Sequence, residues 1–297
     1  MLRSTIVGLV VVLLIAKAAT SLRVMLPNSA ERTEVTTFHP EHTKNFDVHA
    51  ENGSVEIVGQ EDKSAEIEIT SVLQASARDE ESAAAALEAM EVTIEGKDAE
   101  TCKVGWHWKK ARHDDWSGSV GFHIAAPERV NVVCEALNGS ITVDRLSGTA
   151  KLKSQNGKIV SKTSGASLEA RTGNGVIEAK YSGPHLQLHT QNGTIGADLS
   201  HAGVIDGEIT TQNGTVNLTV GNHTACKLSA STVNGRVSSP GQKQSWMKRL
   251  RKKSRSVEET LGSGGGTLKV GVQNGAIKIR HVESHDDADS NDDESDE

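Results

Sequence analysis

Asn138-Gly139-Ser140-Ile141, Asn156-Gly157-Lys158-Ile159, Asn174-Gly175-Val176-Ile177 and Asn192-Gly193-Thr194-Ile195 follow one another at intervals of eighteen residues. The same Asn-Gly pair, with Ile or Val two residues beyond the Gly, recurs at Asn52, Asn213, Asn234 and Asn274, and two of the later intervals are twenty-one. A fixed short period means that one structural unit is copied and stacked. Aligned on the Asn, the fourth position reads Ile141, Ile159, Ile177, Ile195, and the sixth Val143, Ser161, Ala179, Ala197. After a Gly turn near mid-repeat (Gly148, Gly165, Gly183) a second apolar pair follows: Ala150 with Leu152, then Leu168 with Ala170, then Leu186 with Leu188. Small and large residues exchange places between neighbouring units, as they do where stacked units share one interior volume.

Each unit therefore reads as strand, turn, strand, turn. Two architectures fit. In a parallel solenoid identical positions stack about 4.8 Å apart and the Asn side chains form a hydrogen-bonded ladder. In an antiparallel meander the Asn-Gly pairs are ordinary hairpin turns. Recurrence of the same turn residues in register is required for stacking but not for a meander. The expected fold is thus all-β, a repetitive parallel β-solenoid or β-helix-like stack of about 18–21-residue coils, with one short helix in the N-terminal part.

Outward from the repeats the chain changes character. Asn45 to Ala50, Ser54 to Gly59 and Ala65 to Val72 alternate polar and apolar residues and predict half-buried strands, the first two joined through Asn52-Gly53. Asp79 to Met90 is rich in Ala, Glu and Leu with acidic residues first, which predicts a helix burying Ala84, Leu87 and Met90. Glu91 to Glu95 returns to strand. Trp106, Trp108 and Trp116 are the aromatic concentration of a chain with only 3% aromatic residues. Cys102, Val104, Trp106 and Trp108 share one parity, Val120, Phe122 and Ile124 another, and the two runs are expected to form a hairpin around Lys109 to Ser117. The Trp cluster suits a cap over an open coil end better than a sugar-stacking platform.

The ends are compositional. Arg3, the apolar run Ile6 to Ala16 and Ala16-Lys17-Ala18 predict a signal peptide over residues 1–18, cleaved after Ala18. An uncleaved membrane anchor is the rival, though the apolar run is shorter than the roughly 20 residues of a spanning helix. Residues 19–42 lack periodicity and read as a linker into a β-repeat domain over 43–281. From Glu283 to Glu297 nine residues are acidic and none basic, so 282–297 is expected to be a disordered acidic tail. The formal charge is −7 overall; without the tail's −9 and the leader's two cations the body is near neutral, which gives no global drive toward nucleic acid or membrane. The three cysteines, Cys102, Cys134 and Cys226, match no zinc spacing, and Cys134 and Cys226 read as small buried hydrophobes.

The chain resembles the DUF4097-type, adhesin-like family of exported β-repeat domains of unknown function. The likeness lies in the repeated Asn-Gly-x-Ile/Val, the strands around Asn52-Gly53, a helix before a strand pair, Ala126-Pro127 before the regular repeats, and a closing Gly-Gly-Gly-Thr-Leu followed by Val272-Gln273-Asn274-Gly275-Ala276-Ile277. It covers roughly Thr43 to Arg280. The resemblance implies an exported β-helical domain and brings no catalytic motif with it.

Candidate chemistry is sparse. A carbohydrate-active β-helix needs carboxylates converging across coils, whereas the outward column Asp144, Lys162, Lys180, Asp198 offers no carboxylate pair. Gly-x-Ser-x-Gly, His-Glu-x-x-His and phosphate-loop patterns do not occur. Lys153 and Arg171 share an outward column with His189, a stripe fit for an anionic polymer. Trp246 stands among Lys243, Lys248, Arg249, Arg251, Lys252, Lys253 and Arg255 in a basic loop over 242–256, which suits an anionic surface. His39 and His42 lack further metal ligands. Neither metal nor cofactor is expected. The expected function is an exported, non-enzymatic surface or envelope binding module, adhesin-like, whose partner is an anionic polysaccharide, lipid headgroup or other envelope component. A structural envelope protein without a ligand and a carbohydrate-active enzyme are the alternatives.

Overall fold

The computed structural model describes residues 28–39, 42–61, 66–239 and 254–282. The leader, most of the basic loop and the acidic tail lie outside them. In chain order the elements are β1 (Ser29–Phe38), β2 (Asn45–Asn52), β3 (Val55–Gln60), β4 (Ile67–Ser76), α1 (Glu80–Ala89), β5 (Met90–Glu95), β6 (Thr101–Trp108), β7 (Ser117–Pro127), β8 (Asn131–Asn138), β9 (Ile141–Leu146), β10 (Ala150–Asn156), β11 (Ile159–Thr163), β12 (Ser167–Asn174), β13 (Ile177–Tyr181), β14 (His185–Leu199), β15 (Asp206–Gly221), β16 (Cys226–Ser238), β17 (Ser256–Leu261) and β18 (Thr267–Val282).

The repeats stack in parallel, which settles the choice between solenoid and meander. On one wall β2, β8, β10, β12 and β14 pair in order, with Val48, Cys134, Leu152, Ala170 and Leu188 in one inward row. On the other wall Val55, Ile141, Ile159, Ile177 and Ile195 form the matching row along β3, β9, β11, β13 and β14. These side chains are almost wholly removed from water, each contributing about 1.5–3 kcal/mol if aliphatic and large. The interior is two side chains deep, so few aromatics are needed to fill it.

The corner between the walls explains the invariant pair. Asn138 donates from Nδ2 to Asn52 Oδ1, Asn156 to Asn138, Asn174 to Asn156, Asn192 to Asn174, Asn213 to Asn192, Asn274 to Asn213 and Asn234 to Asn274, at 2.8 to 3.0 Å. All eight repeat asparagines thus join one ladder. The following Gly is fixed by crowding: a Cβ on Gly175 would lie 2.0 Å from the Gly157 carbonyl oxygen, and one on Gly193 1.7 Å from that of Gly175. An inward row of hydroxyls completes the corner, with Ser154 donating to the Gly139 carbonyl at 3.1 Å, Thr172 to Gly157 at 3.3 Å and Thr232 to Gly275 at 3.1 Å. At the opposite corner the buried Tyr181 hydroxyl donates to the Gly165 carbonyl at 2.9 Å and accepts from the His185 amide at 3.3 Å. Burial pushes its phenol above the ordinary value.

The ends depart from the sequence reading. Residues 29–38 are not linker: β1 pairs antiparallel with β4 along its whole length. Its core-facing side carries Arg32 and Glu34 between Ala30 and Phe38, so no apolar alternation marks it. Nor do β6 and β7 form a hairpin. β6 stacks parallel on β2 and β7 parallel on β3, so they are the two walls of a coil lying outside the β2–β3 coil. β5 and β4 then pair antiparallel with β6 and β7. The helix α1 packs against β1 and β4 at this end. Asp79 caps it, accepting from the Ser82 amide at 2.7 Å. Its buried residues are Ala83, Ala86, Leu87 and Ala89, with Met90 just beyond, whereas Ala84 faces solvent. At the far end β18 pairs with both β15 and β16, so the last coil in sequence is inserted inside the stack. The stretch read as the end of the basic loop becomes strand at Ser256, and β17 closes this edge antiparallel to β16.

Trp106, Trp108 and Trp116 pack partly buried against the core at the N-terminal end, with ring centroids 5.6 and 5.9 Å apart along the series. This is the expected cap. Cys102, Cys134 and Cys226 are free and buried in strands. Desolvation pushes the thiols of Cys102 and Cys226 up to about 11 and raises that of Cys134 as well.

Candidate functional site

Parallel stacking turns each outward position into a row of side chains crossing the strands. One row runs His49, Glu135, Lys153, Arg171, His189 from β2 to β14. A second row lies one residue before each ladder Asn and holds Glu51, Leu137, Gln155, Gly173 and Gln191. Between the rows lies a groove of about 870 Å³, continued by Trp106 and His107 of β6 and by Thr93 and Glu95 of β5. Seven strands side by side give it a length of about 29 Å. Gly105 and Gly173 keep its floor shallow in side chains.

The groove is charged on both signs. Lys153 Nζ lies 3.6 Å from Glu135, and Arg171 Nε 2.7 Å from Glu169 on its own strand. Lys153 and Arg171 are adjacent, as the sequence places them, but each has a carboxylate partner; Lys103 of β6 is a third cation on the groove. His189 Nδ1 is 2.9 Å from Thr210 Oγ1. The Trp106 indole N–H is buried without a hydrogen-bond partner. Groove residues not singled out by the sequence reading are Gln155 and Gln191. Their signal was present, since Gln-Asn-Gly recurs at Gln155, Gln191, Gln212 and Gln273, and all four are exposed.

Other candidates stay apart from this face. Of the basic-loop residues, Lys243, Trp246, Lys248, Arg249, Arg251, Lys252 and Lys253 lie outside the described residues. Arg255 is exposed, and its carbonyl accepts from the Thr232 amide of β16 at 2.9 Å. It sits beyond β14, β15, β18 and β16 as counted from Arg171, about 24 Å away across the strands. The structure does not bring the stripe and Arg255 into one site.

On the opposite wall Asp144, Lys162, Lys180 and Asp198 form one row beside a shallower groove of about 320 Å³. The two carboxylates lie three strand spacings apart, about 14 Å, beyond the roughly 5–9.5 Å that paired glycosidase carboxyl groups require. That row does not form a hydrolytic pair. His39 pairs with Glu66 at 3.3 Å, and the described residues hold no group of three or more metal-binding side chains. Among them no helix is long and apolar enough to cross a membrane.

No protein-family model matches the sequence, and no curated protein matches it. The resemblance to the DUF4097-type family therefore rests on its motifs. Among solved structures the fold is similar to a candidate cell adhesion protein from Clostridium sporogenes, at 13% identity over 85% of this chain and 100% of that one, TM-score 0.37. It is also similar to a candidate adhesin from Bacteroides fragilis, at 10% identity over 84% of this chain and 97% of that one, TM-score 0.45. A third, a candidate adhesin from Parabacteroides merdae, has 11% identity over 84% and 96% of the two chains, TM-score 0.40. Values this low carry no argument about function.

Proposed function

We propose that the chain is an exported, non-enzymatic binding module, adhesin-like, that lays a polymeric ligand along the groove between the His49–His189 and Glu51–Gln191 rows. The observation that supports this most is the groove itself. It crosses seven strands at one spacing, repeats hydrogen-bonding side chains along its length and has an aromatic ring toward one end. A chain polymer with hydroxyl and acidic groups matches such a repeating surface, with Lys153 and Arg171 meeting its anions. The basic loop with Trp246 and its neighbouring cations serves as a second contact, toward an anionic polysaccharide, a lipid headgroup or another envelope component. The test is binding of residues 19–297 to glycans, anionic polymers and lipid vesicles, beside Lys153→Ala/Arg171→Ala and a deletion of residues 242–256. Selective binding lost in the double variant supports the groove; loss in the deletion alone moves the site to the loop.

A second reading, a structural envelope component without a specific ligand, is favoured by one observation. Two of the three groove cations, Lys153 and Arg171, are already paired with Glu135 and Glu169. Binding by none of the three proteins would establish it over the first.

A further inference from the structure

Stacked sheets have edges, and an edge strand presents unpaired amides and carbonyls to any extended chain that fits. Three described strands have one neighbour only. β5 and β17 are six residues each, short enough to be poor templates. β1 is ten residues long, Ser-Ala-Glu-Arg-Thr-Glu-Val-Thr-Thr-Phe, without proline or lysine, and it pairs with β4 without a register break.

The parity of that pairing decides which groups face outward. The Ala77 amide donates to the Asn28 carbonyl at 3.1 Å, so residues 28 and 77 form a hydrogen-bonded pair. In an antiparallel ladder such pairs alternate, so the even residues of β1 bond to β4. The backbone groups of Ser29, Glu31, Thr33, Val35 and Thr37 consequently point away from the sheet. Side chains divide in the same way. Ala30 and Phe38 pack against the core, and Arg32 and Glu34 share that face, with Arg32 Nε 2.8 Å from Glu34 Oε1 and Nη2 donating to the Met90 carbonyl at 3.2 Å.

This edge is complementary to itself. We propose that two copies of the chain join through antiparallel β1–β1 pairing about a two-fold axis at Thr33. In that register Thr33 faces its own copy, Glu31 faces Val35 and Ser29 faces Thr37, and every outward amide and carbonyl of the strand finds a partner. Between these pairs Arg32 lies directly opposite Glu34 of the second copy, and the reverse, so the two intrachain ion pairs merge into a four-charge cluster. Shifting the axis by one residue keeps the backbone parity but sets Arg32 or Glu34 against its own copy, and shifting it by two shortens the ladder; either removes Arg32 from opposite Glu34. The occupant is thus a second copy, and the closed symmetry stops growth at two. The joined stacks carry two grooves, which gives a polymer two attachment points.

The experiment is sedimentation velocity on residues 19–297 over a wide concentration range. A dimer is expected. Thr33→Pro removes an outward amide at the axis and weakens dimerisation about tenfold or more, with thermal unfolding of the subunit unchanged, because edge positions facing away from the sheet tolerate proline. Arg32→Glu or Glu34→Arg alone weakens the dimer by placing like charges opposite each other, and the double swap restores it. A wild type that stays monomeric throughout overturns the proposal, as does a Thr33→Pro protein that dimerises as tightly as the wild type. Neither outcome depends on ligand binding by the groove.

Discussion

The coils between Asn131 and Gly221 and those at the two ends of the stack, apart from the outermost β6–β7 coil, use the same Asn-Gly corner, yet they differ in how chain order relates to spatial order. In the middle each coil lies on the one before it, so β8, β10, β12, β14 and β15 climb in sequence. At the ends the first and last coils are threaded inside: β2–β3 lies between β6–β7 and β8–β9, and β18 lies between β15 and β16. The middle is held by nearest neighbours along the chain. The ends are held by contacts between residues far apart in sequence, which guards the terminal coils against fraying.

The largest test of that contrast is a charge in the core. Ile177→Asp lies between Ile159 and Ile195 in the fully buried row and is expected to cost about 4 kcal/mol or more, abolishing the cooperative urea transition. Leu261→Asp, at the end of β17, removes one closing strand and should leave most of the strand signal intact in circular dichroism. Equal collapse of both would show that the stack has no separable end.

Next comes the corner. Gly175→Ala drives a Cβ into the Gly157 carbonyl and is expected to cost about 3 kcal/mol. Gly203→Ala meets nothing within 4 Å and serves as the neutral control in the same denaturation series. Tyr181→Phe leaves the Gly165 carbonyl and His185 amide without their partner and should cost about 1–3 kcal/mol.

The ladder sets the finest comparison. Asn174 both donates and accepts, whereas Asn234 only donates within it. Asn174→Ala should cost about 1 kcal/mol and Asn234→Ala about half as much. The smallest effect is a pH dependence at α1. The Ser82 hydroxyl and amide hold the Asp79 carboxyl below its usual value. Its contribution is therefore full above the ordinary carboxylate range and fades as pH falls through the depressed value. Asp79→Asn should flatten that acid limb in thermal melts.

The same division explains what could be read in advance. Stacking, the Asn ladder, the paired inward rows and the outward neighbours Lys153 and Arg171 were legible, because each repeats in register and needs no distant information. The placement of β18 between β15 and β16 was not, since nothing in Leu268, Val270 or Ile277 distinguishes an inner coil from an outer one. β1 escaped because its core-facing side carries the charged pair Arg32 and Glu34 where apolar residues would mark a strand. The separation of β6 from β7 escaped because alternation reports which side of a strand is buried and not which strand lies beside it. The missed Ala84 shows the same limit for a short Ala-rich helix, where several faces read alike. At the candidate site, Gln155 and Gln191 were overlooked because attention fell on charge and not on amides.

The position of β18 also bears on synthesis. A ribosome releases residues 206–221 long before residues 267–282, yet the first of these strands needs the second as its neighbour. Until the final strand emerges, β15 ends in an open template and β16 has no parallel partner to rest on. The last of the described strands to be made is the one that zips the sheet shut, so a chain cut short before Thr267 loses that closure.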